Sequence, residues 1–257
     1  MKIWHMNGAG NDFMVLDARG HSLDLQAMAL RLCRRTGADG FMAVDHAEYG
    51  DFRLHFYNSD GSRGEMCGNG ARCICRFAYE NGIAGEAMTI QTDAGPVYGK
   101  RLDDVQYLVR LPQPAHTDLT RKPGVAYTEV GCPHAVMAYD GALWQDAPQL
   151  KEQMRALRFD PAFPKGANVS FYTWQNPGQV RILTFERGVE DFTLACGTGS
   201  GALAAVLWLQ GQVSDGTLAV ENRGGMLRVR IVAQRNEISE LWLEGPTDVT
   251  QILDEEM

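Results

Sequence analysis

The chain reads as α+β and is built from two similar halves. Three observations predict this. The stretches Met66-Cys-Gly-Asn-Gly70 and Ala195-Cys-Gly-Thr-Gly199 place one Cys-Gly element twice, 129 residues apart, about half the 257-residue chain. Phe56 and Phe185, Gly82 and Gly211, and Gly95 and Gly224 repeat at the same spacing with no gap, as a duplication would leave them. The order of hydrophobic periodicities is also the same on both sides: strand, loop, helix, hairpin.

Taken in order, Phe13–Asp17 and Val136–Asp140 read as matching strands, each followed by a candidate helix, Leu25–Arg35 and Pro148–Leu157. Phe52–Asn58 and Val180–Glu186 alternate as strands with one buried face do. After each comes a loop, then the Cys-Gly element. Ala71–Tyr79 and Ala202–Leu209 carry apolar residues spaced or packed as in a buried helix, with Gly82 and Gly211 as stops. Met88–Thr92 and Thr217–Glu221 lead through Gly95 or Gly224 into further strands. Pro112, Pro114 and Pro123 interrupt regular structure, which puts the expected boundary near residues 112–125 and the halves at 1–115 and 116–257. Glu240–Glu244 is a candidate strand to pair with the first half. Two such domains facing each other leave a cleft, a favoured place for a ligand.

Composition narrows the function. With 45% hydrophobic and 22% charged residues the chain can bury a real core. It has no apolar run of membrane-spanning length, and Met1-Lys-Ile-Trp-His lacks the pattern of a signal peptide, so the expected location is cytoplasmic. A net charge of −8 argues against nucleic acid or an anionic membrane as main partner. Six cysteines in such a chain are not a disulfide framework. Cys73 and Cys75 lack a second pair at zinc-site spacing, so no metal is expected. Those two and Cys33 read as small buried hydrophobes.

Cys67 and Cys196 read differently, because each stands at the start of a helix among glycines. A helix N-terminus offers unpaired N–H groups and the positive end of a dipole, which stabilise a thiolate. Gly68, Gly70, Gly197 and Gly199 let a carboxylate approach the same N–H groups. Two such thiols on opposite faces of one carbon can invert its configuration, one removing a proton as the other delivers one. The helix ends would hold the carbanion's charge on the carboxylate, so no cofactor is needed.

The chain resembles the diaminopimelate epimerases along nearly its whole length. The resemblance rests on Met6-Asn-Gly-Ala-Gly-Asn-Asp-Phe13, Gly37-Ala-Asp-Gly40, Phe56-Tyr-Asn-Ser-Asp-Gly-Ser62, Met66-Cys-Gly-Asn-Gly-Ala-Arg-Cys73, Pro133-His-Ala-Val136, Asn168, Glu186-Arg-Gly188 and Ala195-Cys-Gly-Thr-Gly199. It implies two pseudo-symmetric α+β domains of mixed or antiparallel sheet, each wrapped around a central helix, with the active site in the cleft between them. It also implies a homodimer that interconverts LL- and meso-2,6-diaminoheptanedioate without pyridoxal phosphate, in lysine and peptidoglycan precursor biosynthesis. By the same resemblance Cys67 and Cys196 are the acid/base pair and His134 and Glu186 tune them. Gly68, Asn69, Gly197 and Thr198 cradle the reacting carboxylate, and Asn11 and Glu186 lie near the reacting amino group. Asn58, Asn168 and Arg187 hold the distal end. A guanidinium suits a second carboxylate, although Arg187 could instead pair on the surface with Glu190 or Asp191.

Two departures bear on specificity. Many relatives have asparagine where this chain has Cys132, which removes one expected amide contact at the distal end. The loop between Glu186 and Cys196 is one residue longer than in many relatives. A racemase of another amino acid, such as histidine or lysine, and a non-catalytic amino-acid binder are therefore the alternatives.

Overall fold

The computed structural model describes residues 1–64, 67–214 and 216–255, so Glu65 and Met66, at the start of the first cysteine motif, lie outside the described residues. Contacts divide the chain into two compact units, Met1–Arg110 with Gly245–Met257, and Leu111–Glu244.

In the first unit β1 (Lys2–Gly8) and β2 (Asn11–Asp17) form a hairpin. Helix α1 (Leu25–Thr36) leads to β3 (Gly40–Asp45), parallel to β2, and β4 (Phe52–Asn58) returns antiparallel to β3. Helix α2 (Gly68–Glu80) leads to β5 (Ala87–Thr92), parallel to β4, and the chain folds back through β6 (Gly95–Arg101) and β7 (Gln106–Leu111). Local chemistry sets these limits. Asp24 caps α1 by accepting the Ala27 N–H at 3.0 Å, and Gly37 ends it in the left-handed region at φ 77°. The inward face of α1, Ala29, Leu32 and Cys33, packs with Ile3, Met14, Leu16 and Phe41. Helix α2 is buried over most of its circumference, and the rings of Phe77 and Trp4 meet edge to face at 5.2 Å.

The second unit repeats this order. After β8 (Ala115–Lys122) come the hairpin of β9 (Val125–Val130) and β10 (Cys132–Ala138), helix α3 (Ala147–Arg158), and β11 (Asn168–Asn176), parallel to β10. Next are β12 (Gln179–Glu186), antiparallel to β11, and the short β13 (Asp191–Phe192). Helix α4 (Gly197–Leu209) follows, then β14 (Gly216–Asn222), parallel to β12, β15 (Gly225–Gln234) and β16 (Glu237–Pro246). The core is built on Leu150, Met154, Val169, Phe171, Leu183 and Phe185. Helix α4 buries Ala202 through Leu207 without a break, as a helix surrounded by protein on all sides must. The last strand, β17 (Asp248–Asp254), returns to the first unit and pairs antiparallel with β1.

The duplication is real but not ungapped. The helices keep the spacing of 129 at both ends, since α2 spans Gly68–Glu80 and α4 spans Gly197–Leu209. The strands before them do not. Gly40 faces Asn58 and Val169 faces Phe185, so Asn168 and Glu186 stand where Gly40 and Asn58 do, and the counterpart of Phe56 is Thr184 rather than Phe185. The longer loop between Glu186 and Cys196 absorbs that one-residue difference. After the helices Gly95 matches Gly225 rather than Gly224: both open the second strand of a hairpin with positive φ, 106° and 139°. The stretch between Pro112 and Pro123, expected to be irregular, instead forms β8, whose pairing with β9 shifts register twice and so tolerates the prolines that flank it. Val136–Asp140 ends as a strand at Ala138.

Candidate active site

Both cysteines of the motif cap helices. Cys67 precedes α2 with φ −119° and Cys196 precedes α4 with φ −120°, each in extended backbone, where an N-cap residue belongs. The N–H groups of the first turn of each helix have no carbonyl four residues back within the helix to bond, and the helical bonding begins with Ala71 N–H on Cys67 O and Ser200 N–H on Cys196 O. Gly199 N–H donates to Cys196 Sγ at 3.3 Å. A Cβ on Gly199 would lie 3.2 Å from that sulfur, tight enough that the thiol would have to give by a few tenths of an ångström.

The first unit holds Asn11, Asn58, Cys67, Gly68 and Asn69. Asn69 Nδ2 donates to Asn11 Oδ1 at 2.7 Å, and Asn11 Nδ2 donates to Asp39 Oδ2 at 3.2 Å. Asn69 Oδ1 accepts from Arg72 Nη2 at 2.9 Å, and Arg72 Nη1 donates to Gly68 O at 3.2 Å. This chain of amides fixes the first turn of α2 to the start of β2. Asn58 is exposed and belongs to a turn, where its Nδ2 donates to Ser62 Oγ at 2.9 Å and its N–H to Ser62 O at 2.9 Å.

The second unit holds His134, Asn168, Glu186, Arg187, Cys196, Gly197 and Thr198. Strands β10 and β11 put His134 beside Asn168, and Cys132 opens β10. Cys132 Sγ lies at the centre of a polar cluster: His134 Nε2 is 3.3 Å away, Asn168 Nδ2 donates to it at 3.2 Å, and Thr198 Oγ1 is 3.8 Å away. Thr198 Oγ1 also reaches Cys196 Sγ at 3.6 Å. Asn168 Oδ1 accepts the Arg187 N–H at 2.7 Å, so both ends of that amide are engaged. Glu186 lies against Cys196 and takes the thiol's hydrogen bond.

The electrostatics follow from burial. Burial pushes the Cys196 thiol well above its ordinary value, the Glu186 carboxylate pushes it further, and the Thr198 hydroxyl and Gly199 N–H pull it back. Glu186 is itself raised by burial. His134 is fully buried and pushed down to about 3, by burial first and by the Arg187 charge second, so its imidazole is neutral. Arg187 is exposed, and among the described residues it forms no ion pair. Glu190 is bound to Arg158 and Asp191 to Lys151, so the surface pairing open to Arg187 in the sequence is not made. Its Nη1 donates to Lys165 O at 3.1 Å.

Two contacts were not legible beforehand. Cys132, read as the loss of an amide contact, is itself the acceptor for Asn168. Arg72 was only a letter in the motif, yet it bonds Asn69. The available signal was the repeat: Arg72 corresponds to Gly201, a charge against a glycine on otherwise matched helices. No group of three or more histidines, cysteines or acids among the described residues is arranged to hold a metal. No helix among them is long and apolar enough to cross a membrane.

This duplicated arrangement of strands and helices is a fold that recurs in solved structures. The phenazine biosynthesis protein of Bacillus anthracis shares the fold with TM-score 0.79 and 14% identity, covering 100% of this chain and 99% of that one. A probable proline racemase from Agrobacterium radiobacter K84 shares it with TM-score 0.69 and 14% identity, covering 100% and 93%. Within the class the sequence is more specific. The family model described as diaminopimelate epimerase matches residues 3–109 and 126–247. The diaminopimelate epimerase of Aquifex aeolicus is 34% identical over 95% of this chain and 94% of its own length, and that of Chlorobaculum tepidum 36% over 94% and 96%. The chain belongs to the diaminopimelate epimerase family.

Proposed function

We propose that this chain epimerises LL-2,6-diaminoheptanedioate to the meso form, with Cys67 and Cys196 as the acid/base pair. The observation that carries the reading is the pair of equal-length helices, each capped by a cysteine and opened by glycine, one in each half of a duplicated fold. The substrate's α-carboxylate binds the N–H groups of the helix starts, which stabilise the charge released as the α-proton leaves. One sulfur removes that proton as thiolate. The other returns a proton to the opposite face, and the roles exchange for the reverse reaction. Asn69 and Thr198 complete the carboxylate cradle, Asn11 and Glu186 meet the amino group, and Arg187, with Asn58 and Asn168, receives the distal amino-carboxylate. In this reading the enzyme is cytoplasmic, acts as a homodimer and serves lysine biosynthesis.

A second reading has one observation in its favour. Because Cys132 and the Arg187 N–H occupy both ends of the Asn168 amide, that side chain offers less to a distal group, as a racemase of a single-headed amino acid such as lysine or histidine would require. The test is epimerisation and α-deuterium incorporation from D2O, measured for LL-2,6-diaminoheptanedioate beside a panel of single-headed amino acids. Turnover of the two-headed substrate, lost in Cys67→Ala and in Cys196→Ala, is the expected result. Turnover only on the panel would replace the substrate, and no exchange on any of them would leave a binding protein.

A further inference from the structure

A line of side chains in the first unit has a fixed hydrogen-bond direction. Arg72 Nη2 donates to Asn69 Oδ1 at 2.9 Å, Asn69 Nδ2 to Asn11 Oδ1 at 2.7 Å, and Asn11 Nδ2 to Asp39 Oδ2 at 3.2 Å. An amide turned end for end keeps its shape, so its partners set its direction. Here both ends of the line decide. A guanidinium has only donors, so Asn69 must turn its oxygen to Arg72. An ionised carboxylate has only acceptors, so Asn11 must turn its nitrogen to Asp39. Reversing Asn11 would set donor against donor at Asn69 and acceptor against acceptor at Asp39.

Asp39 is held firmly enough for this task. It is exposed at the entry to β3, yet the same Oδ2 accepts the Asp12 N–H at 2.9 Å, its own N–H donates to Asp12 O at 2.9 Å, and its carbonyl accepts the Ser59 N–H at 3.1 Å. It thereby joins the strand that carries Asn11 to the turn that carries Asn58. The carboxylate next to Asn11 in sequence is engaged elsewhere: Asp12 Oδ1 accepts Asn7 Nδ2 at 3.0 Å and lies 3.6 Å from His5 Nε2.

The second unit repeats the positions without the direction. Phe13 pairs with Gly40 as His134 pairs with Asn168, so Cys132 stands where Asn11 does and Ala167 where Asp39 does. Thr198 takes the place of Asn69 and Gly201 that of Arg72 on the matched helices. Cys132 Sγ and Thr198 Oγ1, 3.8 Å apart, are the counterpart of the amide bond between Asn11 and Asn69. A thiol and a hydroxyl each donate or accept by rotating one hydrogen, and neither alanine nor glycine has a side-chain polar group to choose between them. The direction in the first unit is therefore not a by-product of the duplication.

We propose that Asp39 is a positioning residue: with Arg72 at the far end, it holds the Asn11 amide so that the oxygen, with a lone pair left over from Asn69, is what the reacting amino group meets. This rests on the reading that Asn11 lies at that group. An ammonium has donors only, so the oxygen can hold it and a reversed amide would repel it. The site is matched in this way to the protonated amine, the form in which the neighbouring C–H is most acidic.

The direction is read in the unaltered, substrate-free protein. With asparagine and aspartate labelled with 15N and 13C, NMR couplings across the hydrogen bonds run from Asn69 Nδ2 to Asn11 Cγ and from Asn11 Nδ2 to Asp39 Cγ. A coupling from Asn11 Nδ2 to Asn69 Cγ, or none from either amide, overturns the proposal. The role is read in Asp39→Leu, an exposed position, with melting curves to confirm the fold. KM for LL-2,6-diaminoheptanedioate rises about three- to tenfold, as for one lost hydrogen bond, while kcat stays within about twofold, because Asn11 holds the amino group equally before and during proton removal. Asp39→Asn keeps an acceptor oxygen and recovers most of that loss. An unchanged KM in folded Asp39→Leu, a loss carried by kcat alone, or no recovery in Asp39→Asn overturns the role. Couplings as expected in a protein that epimerises nothing would leave the amide direction standing and remove the proposed function instead.

Discussion

Thr198→Val tests the electrostatics of the second cysteine with the smallest change the site allows. Valine keeps the shape of threonine and removes one O–H, the group that lies 3.6 Å from Cys196 Sγ and 3.8 Å from Cys132 Sγ. Cys196 must ionise in one direction of the reaction, and its thiol is already raised by burial and by Glu186, with the Thr198 hydroxyl acting against both. Removing that hydroxyl therefore moves the thiol further up and leaves less thiolate at neutral pH. A hydrogen bond to a charged group is worth about 1.5–3 kcal/mol, and a long contact shared with a second sulfur belongs at the low end, about 1.5 kcal/mol. That is about a tenfold loss of kcat/KM. Because the equilibrium between the stereoisomers is fixed by the substrate alone, the same factor must appear in both directions. The ascending limb of the pH–rate profile moves to higher pH by about one unit. Polarimetry or NMR of both directions, with melting curves to confirm the fold, reads all of this, and Thr198→Ser restores the wild-type values. If Thr198→Val stays within twofold of wild type, the hydroxyl's proton is on Cys132 and the electrostatic argument is wrong.

Other expectations follow from the same geometry. Arg187→Gln should raise KM for a two-headed substrate about tenfold or more, since a charge-assisted pair is lost, while barely changing exchange on a single-headed amino acid. Steady-state kinetics on both substrates separates these. Cys132→Asn should improve discrimination for the two-headed substrate by about tenfold if an amide contact is what the cysteine removed. His134 should make stability depend on pH. Its folded value of about 3 lies below the unfolded value of about 6.5, so the unfolded chain takes the proton first. Stability is full above pH 6.5 and falls as pH drops toward 3, by about 2 kcal/mol at pH 5. Urea unfolding at pH 7 and pH 5 should show this loss, and His134→Gln should remove it. Gly201→Ala should cost about 1–3 kcal/mol by denaturant unfolding, because its methyl group would collide with Leu111.

The helices and the cysteine motifs were legible because their signals are local. Gly82 and Gly211 end the chain's two buried helices with φ 65° and 69°, a backbone requirement that leaves a glycine in the sequence. Cys67 and Cys196 announced themselves by standing among glycines twice. Strand β8 was not legible, because Pro114 and Pro123 at its margins look like breaks until an edge strand with shifted register accommodates them. The true partner of Phe56 was hidden for a different reason: two phenylalanines at one spacing imitate a match that only the strand register can correct. Side-chain placement was the least visible layer. That Asn58 is spent on a turn while Arg187 has no ion pair among the described residues depends on what Ser62, Lys151 and Arg158 do, and letters do not record that.

The pairing of β17 with β1 has a consequence for how this chain is made. Every strand of the second unit leaves the ribosome before β17 does, yet β17 supplies one flank of β1, which is made before all of them. The unit that begins first is therefore completed last, and until then β1 presents Ile3 and Trp4 along an unpaired edge. Synthesis order and folding order run opposite to each other in that unit, and stalled or shortened chains should be caught by chaperones through that edge.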